Sequence, residues 1–106
     1  MKLLSRSEEI ILLAILRLEG NAYGISIRDY IFKATGAEWS FASIYDPLNK
    51  LTNKGYVMKR KGQPTPERGG RFKCLYEITA DGKKALADIH EVHDQIWNGV
   101  HRKALI

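Results

Sequence analysis

Hydrogen-bonding and cationic side chains crowd into residues 40–73 of this 106-residue sequence. Ser40, Ser43, Tyr45, Asn49 and Lys50 can each donate hydrogen bonds, and an asparagine can hold adenine by two of them in a major groove. Behind them come Lys59, Arg60, Lys61, Arg68, Arg71 and Lys73, around a loop containing Pro64, Pro66, Gly69 and Gly70. Prolines stiffen the arms of such a loop, and glycines let its tip lie against a sugar-phosphate surface. Its cations suit phosphates, and an arginine at the tip can enter a narrow A·T minor groove. The plain alternative is a solvated helix face followed by a solvated charged hairpin. The direct attachment of one to the other favours an interface for duplex DNA. Asp46 would repel phosphates, so it caps its own helix or reads a cytosine amino group, capping being favoured.

The flanking pattern supplies the elements that must hold these groups. Tyr45, Leu48 and Leu51 recur at helical spacing, with Ser43, Asp46, Asn49, Lys50 and Asn53 on the polar side, so residues 40–54 form a helix stopped by Gly55. A proline is tolerated in a first turn but not in a helix interior. Pro47 therefore favours Ser43 over Ser40 as the N-cap, with Asp46 as its capping-box partner. Residues 56–79 follow as a two-stranded ribbon, in which Phe72, Cys74, Tyr76 and Ile78 point one way and Arg71, Lys73 and Glu77 the other. Cys74 then belongs to the inward side, where packing outweighs redox chemistry.

Upstream, Ser5-Arg6-Ser7-Glu8 fits a capping box opening a first helix that runs to about Leu18. Ile10, Ile11, Leu12, Leu13, Ile15, Leu16 and Leu18 surround most of its circumference, which implies burial on two sides, the second against another subunit. A second helix covers about Ala22 to Thr35, closed by Gly36. Ile25, Ile27, Tyr30 and Ile31 face inward, and Gly24 permits close approach of another backbone. Trp39 reads as core or loop packing. Thr79 caps a last helix, where Leu86, Ile89, His93, Ile96 and Val100 step by three and four.

Lys+Arg number 17 against 12 Asp+Glu, a net charge of +5, with the positive charge concentrated in residues 50–73. The single cysteine excludes an intramolecular disulfide, no zinc-like spacing exists, and a reducing cytoplasm fits. The apolar run from Ile10 to Leu16 is far shorter than the ~20 residues a membrane span needs, and no cleavage site follows it, so neither an anchor nor a signal peptide is expected. His90, Glu91, His93 and Asp94 offer two histidines three apart but no third ligand, so no metal and no cofactor are expected. No acid, base and nucleophile can be assembled, which argues against an enzyme.

At the level of short motifs the sequence resembles PadR-type winged-helix transcriptional regulators. The matching pieces are Leu12-Leu13-Ala14-Ile15-Leu16, Ala22-Tyr23-Gly24, Ser43-Ile44-Tyr45 with Leu48 and Leu51, and Lys54-Gly55-Tyr56-Val57. Gly69-Gly70-Arg71 and Tyr76-Glu77-Ile78-Thr79-Ala80-Asp81-Gly82 complete them. One departure is visible: family members usually carry proline directly after the recognition-helix tyrosine, whereas here Asp46 intervenes before Pro47. The resemblance implies a homodimeric repressor released by a small, often aromatic molecule, of the short kind with one C-terminal dimerising helix.

The fold expected is therefore mainly α with a small β-hairpin. Residues 1–79 form a winged helix-turn-helix, and 80–106 a dimerisation helix within one compact unit. The candidate DNA contacts are Tyr23, Ser40, Ser43, Tyr45, Asn49, Lys50, Lys61, Arg68, Arg71 and Lys73. The candidate dimer contacts are Ile10, Leu13, Ile89, Val92, His93, Ile96, Trp97 and Val100. Trp97, one turn beyond His93, either packs at that interface or sandwiches a flat aromatic effector. A winged helix that binds only protein is the rival, and loss of duplex binding on Arg68→Ala with Arg71→Ala separates the two.

Overall fold

A computed structural model describes residues 3–64 and 72–106. Its element order is α1 (Arg6–Leu18), α2 (Gly24–Thr35), α3 (Phe41–Asn53), β1 (Val57–Pro64), β2 (Phe72–Ile78) and α4 (Ala80–Trp97), followed by a 3-10 turn at Arg102–Leu105. The expected helices and hairpin are present in the expected order, but the last helix ends at Trp97, before Asn98-Gly99, so Val100 lies beyond it and the helix does not fill 80–106.

Local chemistry explains most of the boundaries. Ser5 Oγ accepts from the Glu8 N–H at 3.1 Å, and the Glu8 carboxylate accepts from the Ser5 N–H at 2.8 Å, closing the capping box of α1. At the start of α2, Ser26 Oγ accepts from the Tyr23 N–H at 2.9 Å, which sets the first helical residue at Gly24 rather than Ala22. Gly36 ends α2 at φ 75°, in the left-handed region that favours glycine. Thr79 caps α4 through the Gly82 N–H at 3.1 Å.

The expected start of α3 needs correction. Ser40, not Ser43, is the N-cap, accepting from the Ser43 N–H at 3.1 Å, and Asp46 takes no part in the cap. Pro47 consequently lies inside the helix, where it has no N–H to offer the Ser43 carbonyl. Its ring is buried beside Ile44, Leu48 and Leu51, so tertiary packing offsets the lost hydrogen bond.

The core gathers Ile11, Leu12, Ala14 and Ile15 of α1, Ile27 and Ile31 of α2, Ile44, Leu48 and Leu51 of α3, Val57 and Tyr76 of the hairpin, and Leu86 and Ile89 of α4. Ile25, expected inward, is exposed, because the inner stripe of α2 runs through Ile27 and Ile31 instead. The strands pair antiparallel from Val57↔Ile78 to Lys61↔Cys74, and an irregularity before Pro64↔Phe72 inserts one extra residue into β1. Inward alternation holds for Tyr76, yet Leu75 on the opposite face is also buried, tucked beneath Gly62. A Cβ at Gly62 would stand 2.8 Å from Leu75 Cδ1. Among the described residues no helix is long and apolar enough to cross a membrane.

Candidate nucleic-acid interface

The inner face of α3 is Ile44, Pro47, Leu48 and Leu51, so Ala42, Ser43, Asp46, Asn49, Lys50 and Asn53 turn outward together. Of the candidate contacts, Ser40, Ser43, Asn49 and Lys50 are exposed on this surface. Ser40 and Ser43 share one hydrogen bond between their hydroxyls at 2.9 Å, which leaves the second hydroxyl hydrogen able to reach outward. Tyr45 is only partly open because its ring lies over Gly24. A Cβ at Gly24 would fall 2.1 Å from Tyr45 Oη, so α2 meets the recognition surface through that glycine. The close approach is made by a side chain, not by the backbone expected from the sequence.

The hairpin sets one of its cations beside the start of α2. Tyr76 N–H donates to the Ala22 carbonyl at 2.8 Å, pinning β2 against the loop that opens α2. This juxtaposes two candidates far apart in sequence: Lys73 Nζ stands 4.3 Å from the centroid of the Tyr23 ring. Arg60 is committed elsewhere, paired with Glu77 and donating from Nη2 to the Gly20 carbonyl at 3.3 Å. Lys61 is exposed on β1 across from Cys74. Arg68 and Arg71 lie outside the described residues. Beneath the ribbon, burial first, then Cys74 and Tyr45 beside it, push the Tyr76 hydroxyl well above the ordinary phenol range, so it stays neutral.

The site's far side is braced by charge. Glu8 is almost wholly covered, and its carboxylate accepts from Lys54 Nζ, just past the end of α3, at 2.6 Å. Desolvation would raise its pKa, but the Lys54 contact and the Ser5 N–H together outweigh burial and hold the carboxyl below its ordinary range. On α4, His93 Nε2 lies 3.1 Å from Glu9 of α1, while His90 faces Asp94 at 3.6 Å. The two histidines thus turn to different partners. Ile89 is buried in the chain's own core, and Ile10 and Val92 are half-covered. Leu13, Ile96, Trp97 and Val100 are exposed, Trp97 by 55 %.

Two residues absent from the sequence candidates belong to this surface. Phe41 opens α3 and stacks near Tyr45, with ring centroids 6.4 Å apart. Arg28 lies over the Phe41 ring at 4.9 Å and is fixed by its Nε donating to the Trp39 carbonyl at 2.8 Å. Spacing gave no signal for it: Phe41 continues the Ile44–Leu48–Leu51 stripe by three and seven residues, and only the packed structure leaves its ring open in the first turn.

The pattern of the family described as "Transcriptional regulator PadR-like family" matches residues 12–88, well over half of the chain. Solved structures of the same fold include a PadR-like transcription factor from Bacteroides fragilis, 20 % identical, with a TM-score of 0.75 over 88 % of this chain and 84 % of that one. A PadR-family transcription regulator from Clostridium difficile is 16 % identical, with a TM-score of 0.70 over 96 % and 100 %. A winged-helix DNA-binding protein from STIV is 19 % identical, with a TM-score of 0.70 over 94 % and 100 %. No curated protein matches the chain. Four helices, one antiparallel hairpin and a polar third-helix face flanked by cations agree with that family pattern, and the chain belongs to the PadR-like family of DNA-binding transcriptional regulators, not to an enzyme family.

Proposed function

We propose that the protein is a homodimeric repressor of a pseudo-palindromic operator in the cytoplasm. The observation that carries this reading is the outward face of α3, with Ser43, Asn49 and Lys50 open to solvent, beside a hairpin whose Lys73 is held over Tyr23. In each protomer α3 enters a major groove, with half-site centres ~34 Å apart, and the hairpin lies along the flanking backbone. Ser40, Ser43, Tyr45 and Asn49 face base edges; Lys50, Lys61, Arg68, Arg71 and Lys73 meet phosphates or the minor groove. Two copies join through α1, α4 and the turn after it, where Leu13, Ile96, Trp97 and Val100 offer apolar surface that a single chain leaves uncovered.

A planar aromatic effector against Trp97 completes the proposal. By favouring a different angle between protomers, it draws the paired α3 helices out of register with the operator. His93, already engaged by Glu9, stands one turn from Trp97 and would sense the same movement.

The experiment is selection of bound duplexes from random-sequence DNA, repeated at two salt concentrations. The expected result is an inverted repeat, with log affinity falling against log salt at a slope near −5 for about six phosphate contacts per dimer. No enriched sequence, or affinity indifferent to salt, overturns the reading. Titrating planar aromatic compounds against the formed complex tests the effector, and unchanged Trp97 fluorescence across the panel removes it.

A further inference from the structure

Phe41 is the one large apolar side chain of α3 that stays open, with 47 % of its surface exposed. The core of the helix does not use it, since Ile44, Leu48 and Leu51 are fully buried without its help. An exposed phenylalanine on an ordinary helix would be free to turn, but this ring is held. Arg28 lies over it at 4.9 Å, and Arg28 is itself anchored to the Trp39 carbonyl at 2.8 Å and paired with Glu38 at 3.5 Å. Tyr45, one turn on, packs near it with rings inclined by 30°. Phe41, Tyr45 and Asn49 form a single i, i+4 row along the helix. The ring therefore presents a fixed apolar edge in the first turn of the helix, beside the Ser40 cap.

Recognition helices meet base edges with their N-terminal residues. In the major groove only thymine offers an apolar group, its C5-methyl, where cytosine presents a hydrogen and an amino donor nearby. We propose that Phe41 is a specificity-determining residue whose exposed ring edge packs on the methyl of one thymine in each half-site. This rests on α3 entering the groove. Arg28 and Tyr45 act as positioning residues, holding the ring so that contact is made without loss of side-chain freedom on binding. The neighbouring hydroxyls of Ser40 and Ser43 and the amide of Asn49 then read the adjoining bases by hydrogen bonds.

The test uses the full-length protein and the duplex it selects from random DNA. Each thymidine is replaced in turn by deoxyuridine, which removes the methyl and leaves every hydrogen-bonding group in place. One position per half-site is expected to lose about fourfold in affinity, the value of one buried carbon, and about fifteenfold when both half-sites are substituted. Phe41→Ser binds the thymidine duplex as weakly as the wild type binds the uridine one, and is indifferent to the exchange. Phe41→Leu keeps the preference. Should Phe41→Ser fail to melt cooperatively, Phe41→His replaces it, keeping a planar ring beneath Arg28 while giving a polar edge. Uridine tolerated everywhere, or an equal penalty in wild type and variant, overturns the inference while leaving groove insertion intact. A protein that selects no duplex at all overturns groove insertion itself.

Discussion

At the scale of single residues, Glu8 shows how a charge placed by sequence acquires a second task from the fold. A capping box needs only that its carboxylate reach back to the Ser5 N–H, yet the same group also receives Lys54 from the other end of the third helix. Its folded pKa is lowered, so its contribution is complete above the unfolded carboxylate value and disappears as pH falls through the lower folded value. Urea midpoints measured from neutral to acid pH should fall below the ordinary carboxylate range in the wild type and fall less in Glu8→Gln. At neutral pH Lys54→Met should cost about 1 kcal/mol, less than for a fully buried pair because the lysine is a third exposed. An acid limb identical in Glu8→Gln would show that other carboxylates control it. The box was legible in four consecutive residues. The lysine partner was not, because 46 residues separate it from Glu8 and only packing closes that distance.

At the scale of elements, the joint between hairpin and last helix depends on one glycine. A Cβ on Gly82 would stand 2.3 Å from the Tyr56 carbonyl oxygen, and that carbonyl is already held by the Thr79 N–H at 3.0 Å. Neither side can yield without breaking the cap of α4. Gly82→Ala should therefore destabilise the protein by about 2 kcal/mol despite the better helix propensity of alanine, as read from thermal melting. Lys83→Ala, one residue on and exposed, should leave the melting temperature unchanged. A Gly82→Ala protein as stable as the wild type would mean that the joint is slack. The same lesson applies to Pro47: its position in the sequence argued for a cap at Ser43, but four inward residues outweighed the missing N–H and α3 begins one turn earlier.

At the scale of the molecule, the C-terminal apolar residues divide between two destinations. Leu86 and Ile89 of α4 complete the chain's own core, while Ile96 and Trp97 at its end, and Val100 just past it, stand clear. The result is an elongated body, 52 × 29 × 21 Å. Ile89, Val92, His93, Ile96, Trp97 and Val100 were expected to meet a partner together, but Ile89 is taken into the chain's own core and His93 meets Glu9 of α1. Ile96→Glu with Trp97→Glu should leave single-chain stability unaltered, convert a dimer to monomers in sedimentation, and weaken operator binding by about a hundredfold through lost bivalency. A double variant that still sediments as a dimer would move the interface elsewhere.

Periodicity, caps and charge spacing were enough to specify three helices, a cationic hairpin, a fourth helix and the polar face of α3, because each is set by neighbours within a turn or a strand. Tertiary structure alone decided that Tyr45 rests on Gly24, that Lys73 is held by Tyr23, that Arg60 is consumed by Glu77 and that Phe41 stays open beneath Arg28. Those pairings join residues from different elements, and no local pattern records which elements will touch. Side-chain type can nominate a contact, but only the packed core determines which nominated groups are left free to face a partner.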